Sequence, residues 1–197
     1  MRRRGFTVGL ILAVAAERAF ELALSRRNGA RLRRRGAVEA GWLNTRVMVV
    51  FHGAVLIACA LEGGRRRARV PRWLRASSLL ALAGAQALRY WCVVTLGDRW
   101  NIRVLPVPGA PPITSGPYRF LRHPNYLAVI VEMAALPIAV GAWRTALWAS
   151  LGNAVLLWNR IAAEERALGS AYRAALAERP RLWPARKPHV GRRAHDS

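Results

Sequence analysis

The chain has 197 residues, enough for one compact domain, with 32 Lys and Arg against 10 Asp and Glu, a formal charge of +22 at pH 7. Apolar residues make up 53% and fall into long runs between arginine clusters, so the basic residues suit an anionic membrane surface. No helix-turn-helix, zinc-finger or RNA-binding signature supports a nucleic-acid partner, and Cys59 and Cys92 sit in apolar stretches without CxxC or metal-ligand spacing, so no disulfide scaffold and no metal centre is expected.

A helix needs about 20 residues to cross the hydrocarbon core. Residues 6–25 supply the first apolar segment. Its basic start resembles a signal peptide, but the run continues through Glu17 and Arg18 without a small-residue cleavage site, so a retained span is expected. Glu17 and Glu21 share a helix face with Arg18 beside them. They read either as a helix end snorkelling to the interface or as a polar patch turned into the bundle. Residues 26–35 form a basic loop on this reading. The second segment, residues 43–61, has Arg46 near its start and His52 inside, the latter expected as a packed histidine. Residues 62–75 form a second basic loop, with Gly63, Gly64 and Pro71 as breakers. The third segment, residues 73–96, carries Gln86 and Arg89 in its second half, with Trp73, Tyr90 and Trp91 as interface anchors.

Residues 97–122 contain Pro106, Pro108, Pro111, Pro112 and Pro117, which exclude a regular helix throughout. A long ordered loop in a compact protein is more often functional than idle. Two apolar helices follow, residues 124–140 and 143–158, and the tight Gly141-Ala142 connection makes them a hairpin. The tail from residue 159 is helical at first and breaks up around Pro180 and Pro184. The reading is therefore all-α: an integral membrane bundle of about five transmembrane helices forming a single domain over residues 1–186, with a disordered tail at 187–197. A cytoplasmic C-terminus puts 20 of the 32 basic residues inside and 10 outside, in the sense of the positive-inside rule, although the run Arg65–Arg67 falls outside.

Two stretches carry chemistry. The first runs from Thr114 through Gly116, Pro117, Tyr118, Arg122, His123, Pro124, Asn125 and Tyr126; the second is Arg160-Ile161-Ala162-Ala163-Glu164-Glu165. They bracket the hairpin, which returns the chain to the side it left, so His123 and Tyr126 can meet Arg160 and Glu164. Pro124 suits the first turn of a helix, and the free N–H groups at that helix mouth favour an anionic ligand group. Arg160 and Glu164 are four apart on one face: a simple i,i+4 pair, or a site in which Glu164 takes a cationic or hydroxyl-bearing group and Arg160 an anionic one.

Together these residues resemble the isoprenylcysteine carboxyl methyltransferase family, which extends to phospholipid methyltransferases. Its hallmark, Gly-x-Tyr-x-x-x-Arg-His-Pro-x-Tyr followed by a hairpin and Arg-x-x-x-Glu-Glu, is met by Gly116, Tyr118, Arg122, His123, Pro124, Tyr126, Arg160, Glu164 and Glu165. The segment is also similar to the bacterial branch found beside type III polyketide synthases, whose members resemble methylases of long-chain alkylpyrones. The resemblance implies S-adenosylmethionine bound on the cytoplasmic side of a multi-pass membrane protein. Tyr118, His123, Asn125, Tyr126 and Glu164 would line the pocket, the backbone around Ile113 would help, and Pro124 would shape the turn. Arg160 would be the catalytic residue, facing the acceptor and positioning its oxygen. The implied acceptor is lipophilic, a prenylcysteine or an alkylpyrone. Methylation of a phospholipid amine, or a non-catalytic scaffold or transporter subunit, are the alternatives. Ala128 stands where the family has glycine two residues after the second Tyr, which bears on helix approach at that point.

Overall fold

The computed structural model describes residues 2–63 and 70–182; the run Arg65–Arg67 and the expected disordered tail lie outside the described residues. The described residues are helical apart from turns, loops and one isolated bridge between Ala40 and Val104. The helices are α1 (Arg2–Arg34), α2 (Trp42–Gly63), α3 (Arg72–Leu96), α4 (Pro124–Val140), α5 (Trp143–Ala167) and α6 (Gly169–Ala175). Short 3-10 turns occupy Gly97–Arg99 and Gly116–Arg119. By length and composition α2, and α3 with the turn that follows it, can each cross a membrane, and α4 is a shorter apolar helix. Their outward faces carry large apolar side chains such as Val50, Ile57, Leu80 and Val94, as a lipid-facing surface requires.

The first helix corrects the sequence reading: residues 26–35, expected as a basic loop, are helical through Arg34. The cause is a buried stripe that does not stop at residue 25. Ile11, Val14, Glu21, Ser25, Asn28 and Leu32 are all buried, at alternating three- and four-residue steps through Arg18. The arginines after residue 25 lie off this stripe, and arginine is itself a good helix former. The tail expected to be helical from residue 159 continues the second hairpin helix without a break: α5 runs on to Ala167 and carries Arg160, Glu164 and Glu165.

Successive helices run antiparallel, as contacts at the two ends show. At one end the Glu62 carboxylate, closing α2, accepts from the backbone N–H groups of Arg144 and Thr145, each at 2.9 Å. It thereby satisfies donors left open at the start of α5. Arg75, opening α3, donates to the carbonyl of Ala139 near the end of α4 (3.3 Å), and its guanidinium lies over Phe6 near the start of α1. Gly141 ends α4 in the left-handed region, φ 81°, and turns the chain into α5. At the opposite end the second half of α1 holds the long loop: Asn28 Nδ2 donates to the carbonyl of Trp100 (2.8 Å), and Ser25 Oγ to Asn101 Oδ1 (2.7 Å). That loop, the start of α2, the mouth of α4 and the end of α5 are thus gathered at one end.

Charge is also packed into the middle of the bundle. Arg18 on α1 and Arg89 on α3 both donate to Glu132 on α4, and Arg18 also pairs with Glu21. Glu21, Arg89 and Glu132 are 4%, 3% and 1% exposed, so the Glu17–Glu21 patch faces the interior and does not snorkel at the interface. Glu17 accepts from Gln86 Nε2 at 2.6 Å in the same layer. Cys59 and Cys92 are buried free thiols, as their apolar setting implied.

Candidate functional site

The chain reaches the site through a tight turn. Gly116 has φ 55°, and a Cβ there would collide with Thr95 of α3, so the turn needs glycine both for its backbone and for its close approach. The turn sets Tyr118 inward, 8% exposed, against Cys92. Burial pushes the Tyr118 phenol well above its usual range, so it is a neutral hydroxyl at physiological pH. Pro124 is the first residue of α4, where its missing N–H has no consequence.

The chain just ahead of α4 is covered by another part of the protein. A segment that follows α6 lies across it: the N–H groups of Arg122 and His123 donate to the carbonyls of Pro180 (2.9 Å) and Arg181 (3.0 Å). The Arg122 side chain adds bonds to the carbonyls of Arg179 (2.7 Å) and Ala177 (2.8 Å), and Tyr172 Oη donates to the Arg122 carbonyl at 3.2 Å. The two N–H donors just ahead of α4 are therefore taken by the chain itself.

His123 is 4% exposed and its ring stacks on Tyr126, with centroids 5.4 Å apart. Its Nε2–H donates to Glu165 Oε1 at 3.1 Å, and Arg181 donates to the same carboxylate through Nε (3.0 Å) and Nη2 (2.6 Å). Desolvation raises the Glu165 pKa, but the hydrogen bonds from Arg181 and His123 outweigh it and hold the carboxyl below the usual glutamate range. Glu165 thus fixes the His123 ring and clamps the overlying segment at once.

Arg160 and Glu164 do not form the simple i,i+4 pair; the Tyr126 hydroxyl lies between them, donating to Glu164 and accepting from Arg160 Nε at 2.8 Å. Arg160 is 5% exposed and also donates to Thr45 Oγ1 (3.1 Å) and to the carbonyl of Ile102. One guanidinium therefore ties α5 to α4, to α2 and to the long loop, and a buried arginine with this many partners is held in one orientation.

These side chains face a cavity of about 840 Å³. Ile113, Tyr118, His123, Asn125, Tyr126, Arg160 and Glu164 are all on its wall; Pro124 is not, being buried at the start of the helix. The wall also includes residues to which the sequence reading gave no role in the site, among them Thr45, Ile102 and Tyr172. Glu132, behind the wall, was missed altogether. Its one signal was being a lone carboxylate inside a 17-residue apolar helix, a position at which an acid is costly unless it is paired.

Comparison with known proteins adds an independent line. The sequence model described as the isoprenylcysteine carboxyl methyltransferase (ICMT) family matches residues 78–170, which spans both motif stretches. The chain is 33% identical over 159 residues to "Uncharacterized protein YpbQ" of Bacillus subtilis (strain 168), covering 81% of this chain and 94% of that protein. It is 26% identical over 170 residues to an "Uncharacterized protein" of Haemophilus influenzae, covering 84% and 95% respectively.

Proposed function

Starting from the membership of this chain in the isoprenylcysteine carboxyl methyltransferase family, we propose that it is a multi-pass membrane methyltransferase that uses S-adenosylmethionine, bound on the cytoplasmic side, to methylate an oxygen of a lipophilic acceptor. The observation that carries this reading is convergence. Residues from the loop before α4 and from the end of α5, far apart in sequence, meet on one cavity wall whose volume lies within the range of about 300–1,000 Å³ usual for small-molecule sites.

The wall fits the cofactor's chemistry. Asn125 Oδ1 is buried with no hydrogen-bond partner among the described residues, an acceptor suited to an ammonium or amino group. Glu164 offers a carboxylate on the same cavity wall, and the His123, Tyr126 and Tyr118 rings offer faces to a sulfonium. Bound there, S-adenosylmethionine would supply an electrophilic methyl group that passes to the acceptor oxygen, the electrons of the broken C–S bond remaining on sulfur. The role of this chain is to align the two reactants and exclude water. Arg160, its other donors fixed, lends positive charge that favours an anionic acceptor oxygen, either a carboxylate or a deprotonated enol or phenol. Such an oxygen needs no general base, whereas an amine would have to lose a proton first.

The direct test is binding of radiolabelled S-adenosylmethionine to the detergent-purified full chain. Saturable binding is expected, and Glu164→Ala is expected to abolish it; an unchanged dissociation constant removes Glu164 from the pocket. A methylation assay offering prenylcysteine, alkylpyrone, alkylresorcinol and phosphatidylethanolamine in parallel, read by product mass, then identifies the acceptor. A product methylated only on phosphatidylethanolamine nitrogen overturns the oxygen assignment.

A further inference from the structure

The cavity has a second pole. Beyond Tyr118, Tyr126, Arg160 and Glu164 it continues inward to Arg18, Glu21, His52 and Arg89. One face of α2 forms the wall between, with Thr45, Met48, Val49, His52, Gly53 and Leu56 at helical spacing. Thr45, which holds Arg160, lies seven residues from His52, about 10 Å of helix rise; Tyr126 and Glu132 on α4 are separated by about 9 Å in the same way. Apolar side chains, Met48, Val49 and Val129, join the two poles.

At the inner pole two guanidiniums, Arg18 and Arg89, face two carboxylates, Glu21 and Glu132. The two pairs balance, with Glu17 a third carboxylate in the same layer, yet their hydrogen bonding is incomplete. Glu21 Oε1, Arg89 Nε and His52 Nε2 are buried and have no hydrogen-bond partner among the described residues. Glu21 Oε1 and Arg89 Nε stand 3.5 Å apart, close enough to attract but outside hydrogen-bond geometry. Arg89 is 3% exposed, so its unmatched N–H has no recourse to bulk solvent. A hydroxyl set beside the pair satisfies both atoms, accepting from Arg89 Nε–H and donating to Glu21 Oε1. A carboxylate or phosphate could accept from Arg89 but would sit as a like charge against Glu21 and Glu132 in a low-dielectric interior.

We infer that the inner pole seats a second, uncharged hydroxyl of the methyl acceptor, remote from the reacting oxygen beside Arg160, with Glu21 and Arg89 favouring a neutral hydroxyl over an anion at that position. The inference rests on the methyltransferase reading, since a cofactor filling the outer pole leaves the inner one to the acceptor.

Two probes with matched tails test it on the full chain in lipid nanodiscs, corrected with empty discs: tritiated hexadecan-1-ol, and hexadecyl methyl ether as competitor. The alcohol donates and accepts, whereas the ether only accepts. The alcohol is expected to bind saturably, with the ether weaker by about ten-fold, the scale of one hydrogen bond to a charged group. Glu21→Gln replaces the charged acceptor by a neutral amide at nearly constant shape and is expected to bring alcohol and ether to within about three-fold of each other. Binding of S-adenosylmethionine to that variant should stay within about two-fold of the original protein. Equal affinities for the two probes, no saturable alcohol binding, or an unchanged alcohol-to-ether ratio in Glu21→Gln each overturns the inference and leaves the cluster a self-contained ion-pair layer. The wild-type series needs no variant, so it decides the matter even if Glu21→Gln does not fold. Absence of S-adenosylmethionine binding to the wild-type chain would instead sink the proposed function, while the probe series still decides what the inner pole accepts.

Discussion

Glu165 shows how much can hang on one carboxylate. It accepts a hydrogen bond from His123 Nε2 and two from Arg181, and through Arg181 it holds the segment whose carbonyls accept from the N–H groups of Arg122 and His123. Because its pKa is depressed in the folded state, its contribution to stability is fully present above the ordinary glutamate value of about 4.3 and is lost as pH falls through the lower folded value. The overlying segment should therefore stay clamped at neutral pH and loosen only in the acid range, below about pH 4. Hydrogen–deuterium exchange of the peptide around Arg122 and His123, expressed as protection factors, reads this directly. Glu165→Gln should lower protection at pH 7 and remove the acid step; equal protection in the two proteins would show that the backbone pairs hold without the clamp. The motif residues themselves were legible in the sequence, because Gly, Tyr, His, Pro and Arg-x-x-x-Glu-Glu at fixed spacing leave few alternatives. Their partners were not. Thr45, Ile102 and Arg181 carry no local signal, since what recruits them is proximity after folding.

At the scale of elements, sequence periodicity located α2, α3 and α4 well because each is bounded by a breaker or a polar turn. It failed on α1, where arginine density was read as a loop although the buried stripe at Ser25, Asn28 and Leu32 carries on unchanged. Charge does not end a helix when it lies on the outer face; a change of periodicity does. Glu132 makes the complementary point. It joins α1, α3 and α4 through Arg18 and Arg89, and its removal leaves two buried guanidiniums competing for Glu21. Breaking a buried ion pair from one side costs about 3–5 kcal/mol. Glu132→Ala should therefore lower the melting temperature of the detergent-solubilised protein by many degrees. Glu39→Ala, whose partners Arg33 and Arg103 are largely exposed, should change it little. Similar melting of the two variants would mean that the layer is hydrated and contributes little to stability.

At the scale of the molecule the question is which way the bundle sits. The antiparallel order puts the loop between α1 and α2 at the same end as the cavity mouth, and the turn between α4 and α5 at the other, beside Glu62. Between Arg35 and Arg144 the chain passes through three helices, an odd number, so if each crosses the membrane the two positions lie on opposite sides. With the C-terminus proposed to be cytoplasmic, 20 basic residues fall inside against 10 outside, which would put the Arg35 side, and with it the proposed cofactor site, in the cytoplasm. A cytoplasmic mouth would suit the water-soluble, charged cofactor proposed for it, with the proposed apolar acceptor entering laterally from the bilayer. Arg35→Cys and Arg144→Cys, labelled in intact cells with a membrane-impermeant maleimide, separate the possibilities; the native Cys59 and Cys92 are fully buried and remain as background. Labelling at Arg144→Cys with protection at Arg35→Cys is the expected result. The reverse pattern would put the cavity mouth outside, away from any cytoplasmic cofactor. Equal labelling of the two would break the odd count, leaving one of the three helices lying along the membrane rather than through it, with α4, the shortest and the one bearing a buried carboxylate, as the first to examine.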